Sequence, residues 1–149
     1  QINNSISEQK LLEVIDNYGL TKTAKRARFM AGICYLKTGD YDNAIYYLKK
    51  VRSKDKLISV QTLASIGDAY VEKNDFANGL KYYKKAIDKN PNVLITPIYL
   101  LRAGQLCELD NNWKEAGVFY EKIQKEFPTS NEGGDIEKRL EYVKAKQGE

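Results

Sequence analysis

The sequence predicts an all-α helical solenoid built from repeated helical hairpins, and three observations carry that expectation. One twelve-residue pattern is written three times: GDYDNAIYYLKK from Gly39, NDFANGLKYYKK from Asn74 and NNWKEAGVFYEK from Asn111. Gly32, Gly67 and Gly104 each stand twelve residues ahead of a small residue (Ala44, Gly79, Ala116), and the glycines follow one another at steps of 35 and 37. Leu48, Tyr83 and Tyr120 come four residues after the small positions, and Val51, Ala86 and Ile123 three further on. Apolar spacings of three and four are helical. A fixed period in the mid-thirties with two helices per unit is the mark of a stacked helical array.

The elements follow in order. Residues 5–19 read as the second helix of a hairpin whose first helix lies upstream: Ser5 and Glu8 have capping-box spacing. Leu11, Val14 and Tyr18 align with Tyr120, Ile123 and Phe127, and Gly19 takes the place of Pro128. The chain opens on Gln1 rather than methionine, so a preceding segment is expected. The apolar side of this stub is expected to be covered by a second copy, giving a homodimer. Three repeats follow over 25–58, 60–91 and 97–128.

Within each repeat the first helix stops at a residue that tolerates left-handed backbone (Gly39, Asn74, Asn111). The next residue (Asp40, Asp75, Asn112) caps the second helix. Where helices cross, Gly32 is expected opposite Ala44 and Gly67 opposite Gly79, because close approach demands small side chains. Tyr41, Phe76 and Trp113 are expected to plug the turns. Thr96 is expected to cap a helix with Pro97 in its first position. After the break at Gly133 and Gly134, residues 135–147 form a terminal helix capped by Asp135, with Ile136, Leu140 and Val143 inward and a charged outer side. Fraying is expected beyond about residue 146. The whole of 1–149 is expected to be a single repeat domain.

Composition removes several kinds of chemistry. Histidine is absent, which takes away the commonest general base and most zinc sites. The two cysteines, Cys34 and Cys107, have no CxxC spacing and fall two repeats apart, so no disulfide and no metal clip is expected; both read as small core residues. There is no nucleophile elbow, phosphate-binding glycine loop or metal-ligand cluster. No catalytic residue, metal or cofactor is therefore assigned. The formal net charge is +4, with 24 basic against 20 acidic residues, and the Lys49–Lys50 and Lys84–Lys85 pairs sit among acids, which reads as solvated helix faces. The tyrosine pairs 46–47 and 82–83 put one ring on the buried stripe and one near the edge. No nucleic-acid partner is expected, because no basic groove accompanies these rings. No apolar run is long enough to span a bilayer, so any membrane link depends on an anchor upstream of residue 1.

At these same glycines, turn residues and at Pro91 and Pro128, the chain resembles the tetratricopeptide repeat family. It departs from the pattern at Gly79, at Cys107 and in lacking a proline to close the first unit. The resemblance implies a noncatalytic scaffold that holds a protein or peptide in a concave groove lined by the first helix of each repeat. Counted from the aligned glycines, that groove would include Arg26, Phe29, Met30 and Ile33, then Gln61, Ser65 and Asp68, then Ile98, Leu101, Arg102 and Gln105; the alternative for Phe29, Met30 and Ile33 is packing against the N-terminal stub and a helix upstream of it. A family subset grips C-terminal carboxylates of chaperones with a lysine and asparagine clamp. Phe29, Ile33, Ala64 and Asp68 stand at the corresponding positions here, and Arg102 alone makes no clamp. The stretches TKTAKRARFMAGICYLKTGDYDNAIYYLKK, IGDAY and TPIYLLRAGQLCE, in that order, are similar to bacterial membrane-anchored periplasmic members of the YfgM-like group. That likeness implies an adaptor of the cell envelope, associated with a translocon and chaperones and anchored by an upstream segment. A soluble cytoplasmic adaptor and a self-assembling module are the alternatives.

Overall fold

The structure is a computed structural model that describes residues 9–10, 12–15, 17–18 and 21–148. Every regular element among them is helical, as the 3–4 periodicity requires. The helices are α1 (Lys22–Thr38), α2 (Tyr41–Lys49), α3 (Lys56–Glu72), α4 (Phe76–Lys89), α5 (Thr96–Leu109), α6 (Trp113–Glu126) and α7 (Ile136–Gln147). Residues 9–10, 12–15 and 17 are also helical, and the capping box at Ser5 and Glu8 lies outside the described residues.

The three turns between paired helices share one construction. Gly39, Asn74 and Asn111 take φ of 83°, 59° and 55°. Directly after them, the amides of Asp40, Asp75 and Asn112 reach back to the carbonyls of Tyr35, Tyr70 and Cys107 at 2.9, 2.9 and 2.8 Å. Each bond closes the ending helix by giving a donor to a last-turn carbonyl. Asp40 then accepts from the Asn43 amide and Asn112 from the Glu115 amide, both at 3.2 Å, capping α2 and α6 as expected.

The chain divides into two compact units, 1–75 and 76–149, and the division falls at the turn of the second hairpin. In the first unit α1 packs on α2, α2 on α3, and α1 also touches α3. Its core runs through Ala24, Ala27, Ala31, Ala44, Leu48 and Val60. Tyr35 stacks on Tyr47 with ring centroids 5.4 Å apart and planes 10° from parallel, while Lys49 donates to the Tyr70 hydroxyl at 2.8 Å. Tyr41 is half-buried and donates to Glu72 at 3.3 Å, and Lys73 pairs with Asp42. In the second unit α4 packs on α5, α5 on α6 and α6 on α7, over Leu100, Ala103, Tyr120, Ile123, Leu140 and Val143.

Several expectations need correcting. Gly32 does lie at the α1–α2 crossing, but its space is filled by Leu48 rather than left facing Ala44: a Cβ on Gly32 would lie 2.8 Å from Leu48 Cδ2. Tyr120 occupies the same place over Gly104. Helical side chains lean toward their own N-terminus, so the residue one turn after the small position folds back across the glycine. Thr96 does not cap with its own hydroxyl. It sits inside α5 and accepts the Asn92 amide at 2.8 Å, while the Asn92 side chain accepts from Leu94 and Ile95. Asp135 makes no cap bond and instead pairs with Lys138 at 3.6 Å. Gln147 is tied down, its amide donating to the Trp113 carbonyl at 3.1 Å. Cys34 is exposed and not a core residue, because the buried stripe of α1 runs through Ala24, Ala27, Ala31 and Gly32 and leaves position 34 outside it. Cys107 is buried, as expected.

Candidate functional site

The residues expected to line a groove fall in both units, and their exposure separates them. On α1, Arg26 and Met30 are exposed, Met30 at 53%, whereas Phe29 and Ile33 are half-buried. On α3, Gln61 is exposed, Asp68 is half-buried, and Ser65 is buried at 9%. Ser65 therefore presents little to a partner. It shares a turn of α3 with the buried Ala64, Ile66 and Gly67. On α5, Ile98 and Arg102 are exposed and Leu101 and Gln105 half-buried, with the Arg102 guanidinium 5.7 Å from the Tyr99 ring centroid.

In the first unit a cavity of about 490 Å³ opens beside the start of α1. Its lining combines Lys22, Lys25, Arg26 and Phe29 of α1 with Val51, Arg52, Ser53, Lys54 and Asp55 of the α2–α3 connection and Ile58 of α3. Of the groove candidates, only Arg26 and Phe29 belong to it. The local folding explains how two distant stretches meet. Thr21 caps α1 by accepting from the Ala24 amide at 3.1 Å, and Asp55 caps α3 by accepting from Leu57 and Ile58 at 2.9 and 3.1 Å. Both caps are side-chain oxygens satisfying first-turn amides, so they fix where each helix begins. The buried Val51 pins the intervening loop. Arg52, also a lining residue, donates to the carbonyls of Lys49 and Val51 at 2.8 and 3.4 Å, which restrains its guanidinium.

Lys22, Lys25, Arg52 and Lys54 were missed at the level of sequence. A signal was there: in KTAKRARF, Lys22, Lys25, Arg26 and Phe29 recur at helical spacing, and RSKDK follows about one hairpin later. Either stretch alone reads as a solvated face.

The remaining polar chemistry is structural. In the second unit the Tyr120 hydroxyl, wholly buried, donates to Glu108, and Arg139 approaches Glu108 at 3.6 Å, joining α5, α6 and α7. Burial first, and then the Glu108 bond, raise the Tyr120 pKa well above its ordinary 10.0. Burial, with Glu115 adding to it, pushes the Cys107 thiol from 9.0 to about 12. No group of three metal-ligating side chains occurs among the described residues, nor any helix long and apolar enough to cross a membrane.

Helical hairpins repeated at this period, with their small residues at the crossings and caps at the turns, define a helical-repeat protein. The repeats are tetratricopeptide repeats: two family profiles described as Tetratricopeptide repeat match the chain, one over residues 65–131 and the other over residues 26–56. Proteins with such repeats generally bind other proteins. No curated protein matches the chain.

Proposed function

We propose that the protein is a noncatalytic scaffold that binds another protein through the first helices of its repeats. The observation that carries this reading is how the side chains are used. The turn residues, small residues and most aromatics are spent on packing, while α1 and α5 keep Met30, Arg26, Ile98 and Arg102 exposed. An exposed methionine beside arginine is the kind of side chain that interfaces favour. By its likeness in motif order to membrane-anchored periplasmic members of the family, the scaffold is assigned to the cell envelope. Upstream coding sequence with neither a signal peptide nor an apolar segment of about 20 residues would remove that assignment and leave a cytoplasmic adaptor.

The test is a cross-linked pull-down from the native organism with the full-length chain, compared with Met30→Glu and Arg102→Glu. Both positions are exposed, so each variant is expected to fold. A partner recovered by the wild type and lost in either variant supports the reading. Identical recovery by all three overturns it.

A further inference from the structure

We propose that the cavity between the starts of α1 and α3 is a docking pocket for an acidic peptide segment, one that carries carboxylates around an apolar side chain. This deepens the scaffold reading and rests on it. Among the described residues, five cationic side chains, those of Lys22, Lys25, Arg26, Arg52 and Lys54, line a space of about 490 Å³, with Asp55 the single carboxylate beside them. Asp55 is already engaged in capping α3. Among the described residues, Lys22, Lys25, Arg26 and Lys54 form no ion pair, so no described side chain neutralises these four charges.

Self-repulsion is increased by the backbone. The first turn of α1 holds Lys22 and Lys25 and no acid, at the end where the helix dipole is already positive. Local preference runs against this placement, and such conflicts are expected where a ligand supplies the missing charge. The floor is apolar, formed by Phe29, Val51 and Ile58. A bare anion would leave that floor unused. A peptide offering Glu or Asp on either side of Leu or Phe would satisfy rim and floor together.

The same observations favour peptide over nucleic acid. Single strands need successive aromatic faces along a basic track. In this unit Tyr35 and Tyr47 stack on each other and Lys50 lies 3.6 Å over the Tyr46 ring, and among the described residues Phe29 is the one ring lining the pocket.

The test measures fluorescence anisotropy of a labelled peptide, Glu-Glu-Leu-Glu-Glu, with the whole chain. Lys25→Gln combined with Lys54→Gln removes two exposed cations. Lys81→Gln combined with Lys89→Gln removes two exposed cations from the other unit as a control. Affinity is expected to fall by about tenfold or more in the pocket variant and to stay unchanged in the control. It is also expected to weaken steeply as salt rises, because the Debye length shrinks to about 3 Å at 1 M. Equal affinity in both variants, or equal affinity for a peptide with Gln in place of Glu, overturns the proposal. Tighter binding of oligothymidylate, lost in the pocket variant, overturns it in favour of nucleic acid. If the peptide result is negative while the native partner is still captured in a Met30-dependent way, the pocket assignment fails and the scaffold reading stands. If both are negative, both fail.

Discussion

A methyl group added at Gly104 would lie 2.8 Å from Tyr120 Cδ1, and one at Gly32 would lie 2.8 Å from Leu48 Cδ2. The two sites differ in how far the neighbour can yield. Leu48 is as deeply buried as Tyr120 and meets the methyl at its branch carbon, 2.5 Å away, but its aliphatic chain can change rotamer, whereas the Tyr120 ring is rigid and held by Glu108. Alanine in a helix interior gains about 0.5–1 kcal/mol over glycine, and overpacking costs about 1–3 kcal/mol, so the clash wins where the neighbour is fixed. Gly104→Ala is expected to lose about 1–2 kcal/mol net, read as a fall in Tm of about 2–8 °C. Gly32→Ala should lose less, and a larger loss at Gly32 would contradict this ordering. The cysteines give a second residue-level expectation. Cys34 is exposed and Cys107 is buried with its pKa near 12, and only a thiolate reacts quickly. Titration of the native protein with a disulfide reagent should therefore consume one thiol promptly, and the second only in denaturant. Fast reaction of both would show that the α5 core opens readily.

At the scale of elements, the turns were legible in the sequence and the helix starts less so. Gly39, Asn74 and Asn111 could be recognised because left-handed backbone is a local demand that few residue types meet, and the demand repeats three times. Thr96 and Asp135 misled because a capping side chain has alternatives that depend on tertiary surroundings. Thr96 is claimed by the Asn92 amide, and Asp135 faces Lys138. The terminal helix carries the main expectation here. α7 buries Ile136, Leu140 and Val143, sets Tyr142 edge-on to Trp113 at 6.0 Å, and ties Gln147 to the Trp113 carbonyl. Each buried aliphatic side chain is worth about 1.5–3 kcal/mol. A chain ending at residue 134 should thus lose more helical circular dichroism than the deleted residues account for, and should bind a hydrophobic dye. A loss limited to α7 itself would mean that α6 does not depend on it.

For the molecule as a whole, the fold could be read because its information is redundant: a register supported by three copies survives a substitution such as Gly79 or Cys107. The basic pocket could not, because its two halves lie about thirty residues apart and each resembles an ordinary charged surface until α1 meets the α2–α3 connection. Global stability should carry a further mark of the buried core at alkaline pH. Cys107 and Tyr120 both have raised pKa values, mainly through burial, so the folded chain keeps protons that the unfolded chain releases. The Cys107 contribution is intact below about pH 9 and is lost as pH rises toward about 12, and that of Tyr120 begins to fall only above about pH 10, since stability falls wherever the unfolded state binds fewer protons. Thermal midpoints measured from about pH 8 to 11 should decline, with Cys107 acting first because its ordinary pKa of 9.0 lies below the 10.0 of tyrosine. Cys107→Ala should flatten the earliest part of that decline and leave the later part, which belongs to Tyr120. An identical pH profile in Cys107→Ala would mean that the thiol is not held protonated by the fold.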